Sequence, residues 1–301
     1  MSEAPVVMVG MPAYNEEARV GTTVEAVKKY HYFVVVVDGG SKDATAKVAA
    51  DAGAKVVMHG VNQGYGGALQ TLFKTAQKYQ PDILIIIDSD GQHNPADVPR
   101  LVDKIQEGYD VVIGSRFLSE EGKKKIPEYR KLGMKVLDKA TQMATPNIHI
   151  TDSQSGFRAY AKRAYNLIHL SGDGMSAGSE ILMQLNDNHM RISEIPISVR
   201  YDLEGTSSQN PFRHGLSVLA NVLLFVTVRR PIFSFGVPGI VVLSFGLVLA
   251  VRAFDIVAHT GTWAIPITLL SWMLLIMGML LCGGALILYA VERVIGMAMR
   301  G

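Results

Sequence analysis

Cysteine and an excess of charge of either sign are both missing from this sequence. Its 301 residues include a single cysteine, Cys282, so no intrachain disulfide can form and a disulfide-stabilised secreted scaffold is excluded. The 29 lysines and arginines nearly balance the 27 acidic residues, which gives a formal net charge of +2. Without a broad basic field, nucleic acid is not an expected partner. The N-terminus has no basic stretch before an apolar core, so we expect no secretory signal peptide.

Charge is scarcest after residue 230, where lysine is absent altogether. Within this segment, the 20 residues Ile232 to Val251 and the 27 residues Ile265 to Val291 carry no charge. A helix needs about 20 apolar residues to cross the hydrocarbon core of a bilayer. The sequence therefore predicts a hairpin of two transmembrane helices over 231–301 and excludes a fully soluble protein. A buried hydrophobic hairpin is the alternative.

Arginines flank the two apolar runs on the same side. Arg229 and Arg230 precede the first run, and Arg293 and Arg300 follow the second. The positive-inside rule then places both ends in the cytoplasm and the connecting loop, residues 252–262, outside. We therefore expect a multi-pass protein of the cell membrane with a cytoplasmic soluble part and a short cytoplasmic tail.

The apolar stretch 216–228 is too short to span a bilayer. Basic residues flank it, so we expect an interfacial amphipathic helix over 211–230, with a core helix packed on the soluble domain as the alternative. The predicted organisation is a soluble domain over 1–210, this interfacial helix, and the membrane hairpin.

Strand-like and helix-like stretches alternate through the first 115 residues. The strand-like runs are apolar at successive positions and rich in β-branched residues, which is typical of strands buried on both faces. They lie at 6–9, 33–37, 55–58, 83–87 and 111–113. The alternation predicts an α/β fold, a mostly parallel sheet with helices on both faces.

Polar motifs follow each of these runs. In a parallel sheet, ligands bind at the carboxyl ends of the strands, so five motifs at one edge predict a single site. The motifs are residues 12–16 (PAYNE), 38–41 (DGGS), 62–67 (NQGYGG), 88–93 (DSDGQH) and 115–116 (SR).

Asp88 and Asp90 carry the clearest chemical signal. Two carboxylates at i and i+2 of an extended segment point the same way and repel each other unless a cation neutralises them. A hard divalent cation, with Gln92 as a further ligand and diphosphate oxygens completing its shell, meets this need. A turn or helix start at Asn94-Pro95 is the alternative reading, but it does not account for Asp88.

The glycine-rich residues 62–67 are predicted to form a loop before a helix that begins at Ala68, and close backbone approach there favours an anion. Neither G-x-G-x-x-G nor G-x-x-x-x-G-K-[ST] occurs, which argues against dinucleotide enzymes and ATPases. Asp38 ends its strand, where it either accepts hydrogen bonds from a base or ribose or caps the next helix.

Several arginines are candidates for binding a second anionic group, and Arg116 is favoured because it directly follows a buried strand. Arg130 and Arg200 are further candidates. Asp152, in a polar cluster over 151–158, is either a general base or a residue that organises its loop. The eight histidines lack zinc-ligand spacing.

At these motifs the sequence resembles the inverting glycosyltransferases of family 2 with the GT-A (Rossmann-like) fold. PAYNEE at 12–17, DGGSKDAT at 38–45 and DSDGQH at 88–93 carry the resemblance. Within the family, it is most similar to polyprenyl-phosphate hexose synthases of the dolichyl-phosphate mannose or glucose type. The residues SR at 115–116, DSQSGFRAY at 152–160 and the two C-terminal spans support that branch.

The resemblance implies roles for individual residues. Those expected to hold the nucleotide are Pro12, Ala13, Tyr14, Glu16, Asp38 and Gly64. Asp88 and Asp90 are implied to be catalytic, with Asp90 and Gln92 binding Mg2+ or Mn2+. The acceptor phosphate is expected at Arg116, Arg130 and Arg200, and further substrate contacts at Asp152 and Ser155. Ser208 stands where relatives have a lysine.

The function implied is metal-dependent, inverting transfer of a hexose from a nucleotide sugar to a polyprenyl phosphate at the cytoplasmic membrane face. Gly91 favours a UDP-sugar over GDP-mannose. The alternatives are another family 2 membrane transfer, to a different lipid or to protein, and a nucleotidyltransferase. By analogy with two-span relatives, the protein can form a homo-oligomer such as a tetramer.

Overall fold

The computed structural model describes residues 4–119, 134, 138, 141–142, 145, 150–170, 177–200 and 231–298. The chain divides into two compact units, Met1–Val222 and Leu223–Gly301. The expected interfacial helix over 211–230 lies outside the described residues, as do Arg130 and Ser208.

A seven-stranded sheet forms the centre of the first unit. Its strands are β1 (Val7–Ala13), β2 (Phe33–Asp38), β3 (Lys55–Met58), β4 (Ile83–Ile86), β5 (Val111–Ser115), β6 (Arg158–Ala161) and β7 (Ile192–Pro196). They lie in the order β3-β2-β1-β4-β6-β5-β7, and each neighbouring pair is parallel except the two that include β6. The predicted mostly parallel sheet is confirmed.

Helices cover both faces of this sheet, as predicted. They are α1 (Val20–Lys28), α2 (Thr45–Asp51), α3 (Gly64–Tyr79), α4 (Val98–Gln106), α5 (Lys162–Leu167) and α6 (Ala177–Asp187). Successive strand residues point to opposite faces, so Val9 and Val36 pack with α1, α2 and α4, whereas Met8 and Val35 pack with α3, α5 and α6. Burial on both faces explains why the strands are continuously apolar.

The helix α3 begins earlier than the sequence suggests. It starts at Gly64 instead of Ala68, so the glycines of residues 64–67 form its first turn and not a preceding loop. The side chain of Asn62 accepts a hydrogen bond from the backbone N–H of Gly64 at 2.7 Å. The predicted cap at Asn94 is confirmed, because its side chain accepts from Ala96 N at 3.1 Å at the start of a short 3-10 turn that leads into α4.

β1 is longer than predicted and includes Pro12 and Ala13. A proline in a central strand normally removes a ladder hydrogen bond. Here the ladder with β4 has already ended, because Ile86 pairs with Gly10. The carbonyl of Pro12 instead accepts a hydrogen bond from the Ser89 hydroxyl at 2.8 Å. Pro12 therefore lies beyond the ladder with β4, and β1 continues to Ala13 in its pairing with β2.

The antiparallel strand β6 inserts between β4 and β5. Because β6 runs in the opposite direction, its first residue lies at the carboxyl edge of the parallel strands. The loop that precedes β6 therefore lies at this edge as well. Asp152 and its neighbours consequently join the polar motifs that follow β1 to β5. Local patterns in the sequence do not indicate the direction of this strand.

The second unit is a helical hairpin. A π-helical turn, Ile232–Gly236, leads into α7 (Val237–Thr260), and α8 (Ile265–Ala298) follows. Two candidate membrane spans, Ile232–Thr260 and Ile265–Val291, are long and apolar enough to cross a bilayer. The prediction of a loop over 252–262 is wrong, because α7 continues to Thr260. Gly261, with φ 69°, then caps the helix through a hydrogen bond from its N–H to Val257 O.

Small residues at seven-residue intervals bring the two helices together. Gly239, Gly246 and Ala253 are buried on α7, and Ser271 and Ala285 are buried on α8. A Cβ atom added to Gly278 of α8 would lie 2.8 Å from the backbone nitrogen of Leu243. The two backbones are thus too close for a larger side chain at this seam, which is a packing mode typical of membrane helices.

Candidate active site

Two loops at the carboxyl ends of β1 and β2 are joined by reciprocal hydrogen bonds. Asn15 N donates to Ser41 Oγ at 2.9 Å, and Lys42 N donates to Asn15 Oδ1 at 2.9 Å. Glu16 N donates to Thr45 Oγ1 at 2.8 Å. Asn15 has φ 55°, a left-handed conformation that asparagine tolerates better than most residues. These bonds hold the expected nucleotide residues in one rigid surface.

Asp38 lies buried at the end of β2, below this surface. Its Oδ1 accepts hydrogen bonds from Ser41 N, at 3.1 Å, and from the Ser41 hydroxyl. These bonds fix the turn that follows β2, whereas α2 begins later, at Thr45, without a side-chain cap. Tyr14 is partly exposed, and its ring carbon Cδ2 would be 3.7 Å from a Cβ atom added to Gly39. The glycine thus leaves room for the ring beside the end of β2.

The carboxylates of Asp88 and Asp90 lie close together on a turn that follows β4. The prediction placed them on an extended strand, but β4 ends at Ile86, and Gly91 turns the chain with φ 73°. Asp90 Oδ1 accepts a hydrogen bond from Gln92 N at 2.9 Å. The turn is fixed to β1 through the buried Ser89, whose bond to Pro12 the sequence did not predict.

Electrostatic repulsion concentrates at this turn. Burial, followed by repulsion from Asp88, raises the pKa of Asp90 above its ordinary value. Burial, followed by repulsion from Asp90, also raises the pKa of Glu16. A cation bound at the turn would relieve the repulsion that raises the pKa of Asp90 and of Glu16.

The described residues contain no group of three or more histidine, cysteine, aspartate or glutamate side chains arranged to hold a metal ion. A divalent cation at the turn would take few protein ligands and draw the rest from water and phosphate oxygens. Mg2+ binds in this way in many phosphate-handling sites. The residues present, Asp90 with Gln92 beside it, fit such an ion.

Asp88 is oriented from three directions. The Tyr65 hydroxyl, from the first turn of α3, donates to Asp88 Oδ1 at 3.3 Å. Nε2 of the buried His93 lies 3.6 Å from Oδ2. A Cβ atom added to Gly156 would lie 2.9 Å from Asp88 Oδ2 and equally close to the Tyr65 hydroxyl. The loop before β6 therefore comes directly against Asp88.

Arg116 forms a two-pronged ion pair with Asp152 at the opposite end of the same loop. Arg116 Nε donates to Asp152 Oδ2 at 2.7 Å, and Nη2 donates to Oδ1 at 2.7 Å. The backbone N–H of Arg116 also donates to Oδ2 at 3.0 Å. Asp152 is fully buried. Its carboxylate is bound to Arg116, an arrangement that supports the organising role of the two predicted for it.

A second carboxylate, Glu194 of β7, binds the backbone that carries Asp152. Its Oε2 accepts hydrogen bonds from Thr151 N and Thr151 Oγ1, each at 2.9 Å, and Oε1 accepts from Asp152 N at 3.1 Å. Sequence reasoning did not identify Glu194, because neither a motif nor an apolar run marks it.

The rest of this loop is held by buried polar groups. Arg158 is buried and donates to three carbonyl oxygens, those of Ser153, Ser155 and Gly178. Ser155 is 2% exposed, and its hydroxyl accepts from Phe157 N. Both residues stabilise the loop, and the substrate contact predicted for Ser155 stays a prediction.

Asp138 packs beside this loop. Its Oδ1 accepts hydrogen bonds from the backbone N–H of Ser153, at 2.9 Å, and from the Ser153 hydroxyl. Burial raises the pKa of Asp138 to about 6, although the two bonds from Ser153 act in the opposite direction.

Arg200 lies next to the acidic turn. Its backbone N–H donates to Gln92 O at 3.0 Å, and an isolated bridge pairs His93 with Val199. The segment after β7 is thus brought to the same edge as the turn after β4. The structure gathers every described candidate residue at this edge.

Comparison with known proteins agrees with this arrangement. The model of the Glycosyl transferase family 2 domain matches residues 8–168. The chain is 32% identical over 212 residues to a UDP-N-acetylglucosamine–dolichyl-phosphate N-acetylglucosaminyltransferase of Methanococcus voltae, covering 64% of this chain and 84% of that protein. It is 30% identical over 210 residues to a dolichol-phosphate mannosyltransferase of Pyrococcus furiosus, covering 67% of this chain and 58% of that protein.

The fold also resembles that of solved structures. One is glucosyl-3-phosphoglycerate synthase from Mycobacterium tuberculosis in complex with Mn2+, uridine diphosphate and phosphoglyceric acid. The TM-score is 0.59 at 20% identity, and the match covers 75% of this chain and 78% of that chain. Sheet order, strand-end site and family match together lead to one conclusion: the chain belongs to glycosyltransferase family 2 and is a glycosyltransferase.

Proposed function

We propose that this protein transfers a hexose from a nucleotide sugar, preferably a UDP-sugar, to a polyprenyl phosphate at the cytoplasmic face of a membrane. The observation that carries the proposal is the loop from Asp152 to Gly156. One end of this loop holds Arg116 and the other end contacts Asp88. A cationic group and an acidic turn are therefore fixed on one short segment, as transfer between two anionic substrates requires.

The donor would bind across the joined loops after β1 and β2. Pro12, Ala13, Tyr14, Glu16, Asp38 and Gly64 are the residues proposed to contact the nucleotide. Asp90 and Gln92 would hold Mg2+ or Mn2+, which would neutralise charge on the departing nucleoside diphosphate. Asp88, oriented by Tyr65 and His93, would lie beside the transferred sugar.

The acceptor would approach Arg116. A phosphate monoester has a second pKa near ~6, so at neutral pH it is largely dianionic and attacks the anomeric carbon without a general base. This fits the commitment of Asp152 to Arg116. Positioning the two reactants can contribute about 7–11 kcal/mol to the barrier reduction. Inversion follows when attack and departure occur on opposite sides of that carbon.

A lipid acceptor accounts for the helical hairpin. The two candidate spans would hold the catalytic unit at the surface where a polyprenyl chain keeps its phosphate. The relatives from Methanococcus voltae and Pyrococcus furiosus bear names that specify dolichyl phosphate acceptors, which supports this choice. We retain the division into a catalytic domain over 1–210, an interfacial segment over 211–230 and a membrane hairpin over 231–301, with a homo-oligomer as the proposed assembly.

The proposal is tested with the purified full-length protein in detergent. UDP or GDP is titrated with and without Mn2+, and the thermal unfolding midpoint reports binding. We expect UDP with Mn2+ to raise the midpoint, and Asp90→Asn to abolish the metal-dependent part. Asp103→Asn, an exposed carboxylate on α4, is the control and should behave like wild type.

Transfer itself is assayed with undecaprenyl and dolichyl phosphate against UDP-N-acetylglucosamine, UDP-glucose and GDP-mannose. The expected products are the lipid-linked sugar and a nucleoside diphosphate. Release of pyrophosphate would identify a nucleotidyltransferase instead. Absence of metal-dependent transfer from every donor to either lipid would refute the proposed function.

A further inference from the structure

We propose that Glu194 is a positioning residue for the acceptor phosphate: it fixes the Thr151-Asp152 backbone, and Asp152 in turn fixes the guanidinium of Arg116. This inference rests on the proposed function, since it deepens the role given there to Arg116. Glu194 would not touch either substrate.

Glu194 reaches the site because of strand register. In the parallel pair of β5 and β7, Glu194 lies opposite Ile113, two residues before Ser115 at the end of β5. Its side chain is therefore close to the carboxyl edge of the sheet. There its two oxygens receive the N–H groups of Thr151 and Asp152, together with the Thr151 hydroxyl.

Two consecutive backbone N–H groups bonded to one carboxylate fix the peptide between them. The Thr151 hydroxyl adds a third bond and also lies 2.7 Å from Ser115 Oγ, the residue directly before Arg116. Glu194 therefore holds the start of the loop against the end of β5. The direction in which the Asp152 side chain leaves the backbone is set by this arrangement.

Asp152 passes that direction on to Arg116. It binds the side of the guanidinium formed by Nε and Nη2, and it also binds the backbone N–H of the same residue. Such paired bonds hold the planar group in one orientation. The Nη1 side faces away from Asp152, in an orientation that is fixed before any phosphate arrives.

Charge alone does not explain why acids surround this arginine. Asp152 and Glu194 both weaken the attraction of Arg116 for a phosphate, because they are negative themselves. A site that only needed positive charge would not place two carboxylates there. The remaining benefit of the two carboxylates is that they fix the orientation of the Arg116 guanidinium. Loss of that orientation should raise the KM for the lipid phosphate.

A matched control lies on the same pair of strands. Asp110 directly precedes β5, and its Oδ2 accepts a hydrogen bond from Arg191 N, directly before β7, at 2.8 Å. Like Glu194, it is a carboxylate that accepts a hydrogen bond from a backbone N–H of a distant segment. It lies at the amino edge of the sheet, away from the site. If the substitutions acted only by disturbing packing, both would be expected to change the kinetics to a similar extent.

The experiment compares full-length Glu194→Gln with Asp110→Asn, using the donor and the lipid phosphate that wild type accepts. Glutamine keeps the size but turns one acceptor oxygen into a donor group. We expect Glu194→Gln to raise the KM for the lipid phosphate about fivefold or more, while the affinity for UDP with Mn2+ changes less than about twofold. Asp110→Asn should leave both values within about twofold of wild type.

A double-mutant cycle tests the route through Arg116. In the Arg116→Lys background, where the two-pronged pair is already lost, Glu194→Gln should raise KM little further. Additive effects, an unchanged KM, or an equal loss of UDP affinity would each overturn the inference. If Glu194→Gln fails to fold, Thr151→Val serves instead, because it removes one of the three hydrogen bonds to Glu194. This variant should also raise the KM for the lipid phosphate, but by a smaller factor. A wild type without lipid-phosphate activity would refute the proposed function instead.

Discussion

Carboxylates with different tasks lie at the two ends of one short loop, residues 152–156. Asp88 and Asp90 are partly exposed on their turn, and repulsion from Asp88 contributes to the raised pKa of Asp90. Asp152 is buried and paired with Arg116. Their surroundings, and not the residue type, separate a group available to a cation from one that holds an arginine.

Gly156→Ala tests how closely the loop must approach Asp88. The added methyl would lie 2.9 Å from Asp88 Oδ2, closer than any ordinary contact, so the carboxylate must move. We expect kcat to fall by about tenfold or more, because positioning governs the rate. The thermal unfolding midpoint should change little, since the end of a side chain can shift at low cost.

Gly178→Ala is the control for this prediction. The added methyl would lie 3.4 Å from Arg158 Nη2, an ordinary contact in the same cluster. We expect near wild-type kcat. Equal activity of the two variants would show that the approach of Gly156 has no role in catalysis.

Asp138 makes stability depend on pH. Its pKa is raised from 3.8 to about 6 in the folded state, so folding favours the neutral acid. The native state then binds more protons than the unfolded state between these values, and stability falls as the pH rises through them. The raised pKa therefore costs the folded state on the order of 3 kcal/mol of stability. This cost is present in full above about pH 6 and absent below about pH 4.

Asp138→Asn should therefore be more stable than wild type at about pH 7.5, and this advantage should vanish near about pH 4. Asparagine keeps an oxygen that can accept from Ser153. Thermal unfolding midpoints of full-length protein at several pH values provide the measurement. A difference between variant and wild type that does not change with pH would contradict the assignment.

At the scale of elements, strand direction builds the acceptor side of the site. β6 is antiparallel to β4 and β5, so the loop before it meets the ends of the parallel strands. Glu194 then reaches that loop from β7. Three elements distant in sequence thus hold one arginine.

The close packing of the helical hairpin depends on small residues where α7 and α8 meet. Gly278→Leu would place a side chain against the backbone of Leu243 and should separate α7 from α8. We expect a clear drop in the unfolding midpoint in detergent. Gly284→Leu on the same helix is the control, because nothing lies within 4 Å of its added Cβ atom. Equal midpoints would show that the seam contributes nothing.

At the scale of the whole molecule, composition separates two units with different solvents. The first buries apolar strands between helices, whereas the second exposes large apolar side chains such as Phe254, at 73%, and Leu280, at 71%. Exposed apolar area of this kind is unfavourable in water and favourable in lipid. The two candidate spans, Ile232–Thr260 and Ile265–Val291, therefore suit a bilayer better than water.

The single cysteine makes the membrane orientation testable. In a Cys282→Ser background, Thr262→Cys between the helices should react in intact cells with a thiol reagent that cannot cross membranes. Ala4→Cys in the first unit should react only after permeabilisation. Labelling of both sites in intact cells, or the reverse order, would contradict the cytoplasmic location of the catalytic unit.

The sequence by itself determined the mostly parallel sheet, the strand-end motifs and the two long apolar helices that are candidate spans. These follow from local patterns: consecutive β-branched apolar residues, polar groups directly after them, and uncharged runs long enough for a bilayer. The acidic turn was also readable, because Asp88 and Asp90 are only two residues apart in sequence. The reason given for their proximity was wrong, since a turn and not a strand places them.

Only the tertiary structure decided what Asp152, Ser155 and Glu194 do. The partners of Asp152 and Glu194 lie dozens of residues away, and a hydrogen bond between Glu194 and Thr151 depends on the register of β5 and β7. Local patterns carry no information on that register or on the direction of β6. The sequence thus specified which groups lie at this edge of the sheet, while packing determined which of them bind one another and which are buried.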